Sequence, residues 1–269
     1  MLSFASIGMR RASQFLDDLA SRGRRHFTTE DARAALGVSL PALRAALRRL
    51  KGRGEIADPH QGFHVIVPPE YRRLGCLPAE QFVPQLMEHL REPYYVALLT
   101  AAEFHGAAHH RPQVFQVMVR KNRRRIRCGK VHVEFVARKD LEQMPTITRN
   151  TPRGTVRISS PETTALELVG YADRCGGLDI VASVLGDLVD AIDAAKLADV
   201  ARLCPVVWAQ RLGYLLDLTG HADVANALAG HVQAHVRLAA PLVRRRPRAH
   251  ARRDDRWKLA VNASVEPDL

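Results

Sequence analysis

The chain has 269 residues, 46% hydrophobic and 6% aromatic, with a formal net charge of +12 and an isoelectric point near 10.2. That length can bury a substantial core, most simply in two domains, and the excess of positive charge directs attention to a polyanion, nucleic acid first. The longest mostly apolar run, Tyr94 to Phe104, falls far short of the roughly 20 residues that span a bilayer, so no membrane span is expected.

At the N-terminus the apolar residues Met1 to Gly8 precede Arg10 and Arg11, the reverse of a secretion signal, and Met9 is an alternative start. Cys76, Cys128, Cys175 and Cys204 stand far apart with no C-x-x-C pair, which indicates neither a zinc site nor a disulfide framework and suits a reducing cytoplasm. Charge is uneven: +5 over 1–69, +8 over 70–160, −6 over 161–230 and +5 over 231–269. The acidic stretch would repel phosphate, so any polyanion surface lies elsewhere.

Ala12, Phe15, Leu16 and Leu19 are spaced three and four apart, which predicts a first helix ending at Gly23. Thr28 can cap a second through the amide of Asp31, closing on Gly37. Ser39 can cap a third, whose face of Leu40, Leu43, Leu47 and Leu50 leaves Ala42, Arg44, Ala45, Arg48, Arg49 and Lys51 outside. Two short helices joined by a tight glycine turn, the second with an arginine face, make a helix-turn-helix. "GEIADPHQGFHVIVPP" then predicts two strands around a turn at Asp58 to Gly62, the wing of a winged helix. Thr28, Ser39, Ala42, Arg44, Arg48, Arg49, Lys51, Arg53, His60 and Gln61 are the candidate contacts to double-stranded DNA. Small residues at the helix start allow close approach to base edges, and arginine suits guanine. A solvated arginine face on a protein-binding module is the competing reading.

A new unit begins near Phe82, predicted as two helices and then a strand at Val114 to Val119. His105 and His109 are four apart, but no third ligand joins them and Gly106 weakens the helix, so no metal is expected. "VRKNRRRIRCGKV" holds seven Lys or Arg residues between Arg120 and Lys130. Arg120, Lys121, Arg123, Arg124, Arg125, Arg127 and Lys130 are expected on a hairpin connection of the second domain, as an auxiliary basic surface for phosphates or as a merely solvated loop. Neither a phosphate-cradling loop nor a nucleophile motif is found; no catalytic residue, enzyme activity or cofactor is expected.

"PYYVALLTAAEFHG" followed by a strand, then "SPETTALELV" (160–169), "WAQRLGYLLDLTG" (208–220) and "RWKLAVNASVEPD" (256–268), in this order after a winged helix, resemble the landmarks of the AbiEi antitoxins of the AbiE abortive-infection, type IV toxin–antitoxin systems. The resemblance covers nearly the whole chain. It implies an α+β protein with a winged helix-turn-helix domain at 1–72 and a larger, helix-rich mixed α/β antitoxin domain at 73–269, its α/β part near 80–158 and its helical part near 159–235. It further implies repression of its own operon through promoter inverted repeats. The implied counterpart is a nucleotidyltransferase-like toxin, AbiEii, opposed without a stable complex by a monomer or weak dimer. The stretch "RRRPRAHARR" (244–253) matches no landmark. Each landmark taken alone is explained as core: capping of 160–169 by Ser160 or Thr163, an inward face of Trp208, Leu212, Leu215 and Leu216, and an alternating strand with Trp257, Leu259 and Val261 on one side. The rival function is an ordinary winged-helix repressor whose C-terminal domain senses a ligand or partner.

Overall fold

The computed structural model describes residues 4–107, 112–152 and 154–267, with side chains in the first helix from Arg11 onward. Among the described residues the chain forms ten α-helices and three sheets, and it divides into two compact units that no single cut separates. The first comprises Met1–Pro93, Asn122–Phe135 and Asn150–Val156; the second comprises Tyr94–Lys121, Val136–Arg149 and Arg157–Leu269.

The first unit opens with α1 (Phe4–Ser21), β1 (His26–Thr28), α2 (Thr29–Leu36) and α3 (Leu40–Gly52), followed by β2 (Ile56–His60) and β3 (Phe63–Ile66). β3 pairs antiparallel with both β1 and β2 in the order β1-β3-β2. This arrangement resembles a winged helix. Gly37, at φ +60°, ends α2 in the left-handed conformation that glycine adopts without strain. Leu16, Phe27, Ala32, Leu43 and Leu50 form the core beneath α3. Ala46 is buried beside them, while Leu40 and Leu47 are only half-buried, so the inward stripe of α3 is narrower and shifted from the predicted leucine face. The predicted first helix starts earlier than its arginine-rich turn, at Phe4; Met1 lies outside the described residues. α4 (Val83–His89) completes the N-terminal segment of this unit.

β4 (Tyr94–Val96) precedes α5 (Leu98–Phe104), where two consecutive helices were expected. Arg91, at φ +51°, turns the chain out of α4, and Tyr94–Val96 pair antiparallel with β5 (Phe115–Val119), so sheet pairing overrides the helical pattern. The basic run also differs from a plain connection, because it contains a strand, β6 (Ile126–Cys128), paired in register with the start of β7 (Val131–Ala137). β8 (Thr146–Thr151) and β9 (Gly154–Ser159) follow. The strand order through the second unit is β7-β5-β4-β9-β8, with β4 and β9 parallel at Val96 and Ile158.

α6 (Pro161–Gly170) packs against α5, α7 (Leu178–Leu188), α8 (Ala194–Arg202) and α9 (Val206–Leu218). Every residue of α6 from Glu162 to Val169 is buried, so it is a central helix and not an amphipathic one. Ser160 caps it, its Oγ accepting from the Thr163 amide at 3.2 Å. α10 (Ala222–His235) packs on α8 and α9, and a last sheet orders β10 (Ala240–Pro241), β11 (Arg252–Asp254) and β12 (Leu259–Val261) as β10-β12-β11. Trp257 precedes β12 in a turn rather than lying on its face, although its ring is fully buried. Its Nε1 donates to Asp217 at 2.6 Å.

Candidate nucleic-acid interface

The capping expected at Thr28 is formed: its Oγ1 accepts from the Asp31 amide at 3.0 Å, and the Asp31 carboxylate accepts from the Thr28 amide at 2.9 Å. This reciprocal box fixes where α2 begins. Against the burial that would raise it, the Thr28 amide and the Arg24 guanidinium hold Asp31 below the ordinary carboxylate range. Ser39 occupies the N-cap position of α3 but its side chain makes no capping bond, with Pro41 in the first turn. Proline lacks one of the amides a cap would serve. Ser39 therefore stands exposed at the helix start, beside exposed Ala42.

Arg44, Arg48 and Arg49 are all exposed along α3. Lys51 is exposed too, but its Nζ donates to Asp58 at 2.8 Å, and Arg53 pairs with Glu55 at 3.0 Å. Local carboxylates thus offset the charge at the end of α3, while Arg44 and Arg48 carry no ion pair among those resolved in the described residues. The wing turns through Gln61, which is exposed, and Gly62; half-buried His60 bonds through Nδ1 to the Gln61 carbonyl at 2.9 Å. His60 is thus occupied in shaping the turn.

Asp58 and His64 are positioning residues that sequence patterns did not single out. Asp58 holds Lys51 through one oxygen and accepts from His64 Nδ1 at 2.7 Å through the other, while His64 Nε2 lies 3.0 Å from Thr29 Oγ1. Burial would raise the Asp58 carboxyl, but His64 and Lys51 outweigh it and hold it low. The end of α3, the wing and the start of α2 are tied through this one carboxylate. "ADPHQG" reads locally as a turn, and nothing in it shows that Asp58 meets a lysine from the preceding helix.

The basic run divides. Arg123 is ion-paired with Glu92, and Arg125 with Glu134 at 2.7 Å. Arg120 lies 3.6 Å from Glu142. Lys121, Arg124, Arg127 and Lys130 are exposed, and Arg127 projects from β6, which packs beside wing strand β2 within the first unit.

The second unit has its own buried polar cluster. Glu167, fully buried, accepts from the Tyr95 hydroxyl at 2.5 Å and from Arg138 Nη1 at 3.0 Å. Burial pushes Glu167 up to about 7, against the pull of Arg138 and Tyr95. Burial alone would lower Arg138, but Glu167 and Tyr95 keep its pKa above its ordinary value. The guanidinium lies 5.3 Å from the centroid of Trp208, which stacks edge-on against Tyr171 and leaves no room for a side chain at Gly170. Trp208 is consequently half-exposed, where a fully inward ring was expected. Removing one partner of a pair this deep would leave the other buried without compensation. His105 donates from Nε2 to the Ser159 carbonyl at 2.8 Å, and His109 lies outside the described residues. Among the described residues no group of three His, Cys, Asp or Glu side chains could hold a metal, and no helix is long and apolar enough to cross a membrane.

A unit resembling a winged helix with an arginine-bearing third helix, joined to a larger mixed unit around a buried central helix, defines the class. Residues 95–218 match the AbiEi antitoxin C-terminal domain, just under half of the chain. A solved structure, the Rv2827c protein from Mycobacterium tuberculosis, aligns over 93% of this chain and 90% of its own at a TM-score of 0.66 and 18% identity, a likeness of fold. An antigenic nucleotidyltransferase-like protein from Paracoccidioides brasiliensis aligns over 56% of this chain and 90% of its own, with 12% identity and a TM-score of 0.36, too low for a shared fold. Comparison with curated proteins gives no match.

Proposed function

We propose that this protein is the antitoxin of a type IV toxin–antitoxin system, acting in the cytoplasm against a nucleotidyltransferase-like toxin without forming a stable complex with it. In the same reading it represses its own operon, as a monomer or weak dimer, by placing α3 in the major groove of promoter inverted repeats. The observation that carries this reading is that one chain combines a match to the AbiEi antitoxin C-terminal domain over 95–218 with an N-terminal unit resembling a winged helix.

Ser39 and Ala42 admit the helix to base edges, Arg44 and Arg48 reach them, and Arg49, Gln61 and the Thr28 helix start meet phosphates, with Lys51 and Arg53 less available because Asp58 and Glu55 already engage them. His60 acts by shaping the wing turn. Arg124, Arg127, Lys121 and Lys130 add phosphate contacts on the flanks, with Arg120, Arg123 and Arg125 less available because carboxylates already engage them.

The test is growth rescue combined with a promoter reporter. The neighbouring toxin gene is expressed alone, with the intact chain, and with the chain carrying Arg44→Ala and Arg48→Ala. Rescue by both forms, with repression by the intact chain only, is the expected result. No rescue by the intact chain would defeat the antitoxin assignment.

A further inference from the structure

Cys76 and Cys128 are 52 positions apart in sequence, yet the fold of the first unit brings them together. The segment leaving the wing crosses the end of β6 at close range. The Lys130 amide donates to the Leu74 carbonyl at 2.7 Å, and a Cβ built on Gly129 would lie 2.8 Å from the Cα of Gly75. Both glycines have positive φ, +70° and +58°, so this approach requires residues without a Cβ. Residue 74 lies opposite 130 and 75 opposite 129, the two segments running in opposite directions; the next step places Cys76 opposite Cys128. Both side chains are buried, at 0% and 7% exposure, and each is the foremost influence on the other's titration. A disulfide needs Cβ atoms roughly 3.5–4.5 Å apart, a spacing within reach of two residues that adjoin so close a backbone contact.

The two thiols are unequal. The neighbouring Cys128, together with burial, drives the Cys76 thiol strongly upward. Cys76 in turn holds Cys128 below its ordinary value despite burial, helped by the Lys51 ammonium and the Asp58 amide. Cys128 also retains the little exposure the pair has. Buried Cys175 and half-buried Cys204 belong to the second unit.

We propose that Cys76 and Cys128 form a thiol–disulfide exchange site whose co-reactant is a low-molecular-weight disulfide of the glutathione type. The Cys128 thiolate attacks one sulfur of glutathione disulfide, forming a mixed disulfide and releasing one glutathione thiolate, which takes up a proton. Cys76 gives its proton to solvent and attacks the Cys128 sulfur, breaking the mixed disulfide and releasing the second glutathione. In balance, two protein thiols lose two electrons and two protons, and one glutathione disulfide becomes two glutathione thiols. In a reducing compartment the pair rests as a dithiol, the state in which such sites act as sensors. Closing the bond ties the exit of the wing to the basic strand β6 and removes open states of the first unit. The inference does not depend on the antitoxin reading.

The full chain is equilibrated across buffers of reduced and oxidised glutathione, trapped by alkylation and mapped by peptide mass spectrometry, with unfolding temperature recorded in parallel. The expected result is one intramolecular Cys76–Cys128 bond, reversed by dithiothreitol, with a higher unfolding temperature when oxidised. Cys76→Ser should accumulate a glutathione adduct on Cys128, and Cys128→Ser should form neither adduct nor bond. If a variant fails to fold, trapping of the unaltered chain decides alone. A bond to Cys175 or Cys204, a lasting glutathione adduct on Cys128 of the unaltered chain, or both thiols remaining alkylatable in the most oxidised buffer would overturn the proposal.

Discussion

Arg44 and Arg48 lie one and two turns beyond Ser39 on an exposed helix face, and side chains of this kind discriminate bases when they reach guanine edges. Replacing either with alanine should weaken operator binding by about 1–3 kcal/mol while leaving affinity for random DNA nearly unchanged. Fluorescence anisotropy on the two duplexes checks this, and equal losses on both would reduce the arginines to phosphate contacts. The two titrating carboxylate systems pull stability in opposite directions with pH. Asp31 and Asp58 are held below their ordinary 3.8, so their contribution is present above that value and is lost as pH falls through their lowered folded-state values. Glu167 is raised from 4.5 to about 7. Its contribution is present below pH 4.5 and is lost as pH rises towards 7, because the folded chain then ionises a carboxyl that the unfolded chain ionises more easily. Glu167→Gln should flatten stability between pH 4.5 and 7 in denaturant titrations, and lower it above 7 because Arg138 keeps its burial and loses its charged partner. An unchanged slope would show that Glu167 does not govern that window.

At the scale of elements, helix boundaries follow local chemistry where a side chain acts on its own backbone. Thr28, Gly37 and Ser160 mark the starts and end that their residue types announce, and Thr28→Ala should cost about 1 kcal/mol of stability in urea unfolding. Ser39→Ala should cost much less, since Ser39 makes no capping bond. Strands were legible only where they alternate in isolation. The wing and β5 were visible in this way, whereas β4 was hidden inside a helical pattern and β6 inside a run of arginines, because both owe their conformation to partners distant in sequence. The exposed charge of β6 leads to a further expectation. Arg124→Glu with Arg127→Glu should weaken binding to operator and random DNA alike and reduce the slope of log affinity against log salt by about 0.9 for each phosphate no longer neutralised. A salt slope equal to that of the unaltered chain would leave the hairpin a solvated surface.

For the whole molecule, residue composition and order were enough to indicate a basic front, an acidic helical stretch, a third helix with an arginine face and the AbiEi landmarks, since capping, periodicity and charge are properties of neighbours along the chain. The match over 95–218 agrees with the AbiEi landmarks, and the likeness to Rv2827c agrees with the fold class. Tertiary structure alone decided which charges are free and which are spent. Lys51 meets Asp58, Arg123 meets Glu92 and Arg125 meets Glu134 only after folding, so a count of basic residues overstates the surface open to phosphate. It also decided that Glu167 and Arg138 share a buried core, that Trp208 covers Gly170 at a half-exposed position, and that Cys76 faces Cys128. These pairings join residues from 7 to 52 positions apart. Their strength depends on how much water the fold excludes from each, and that exclusion is set by the packed chain and not by any local stretch of it.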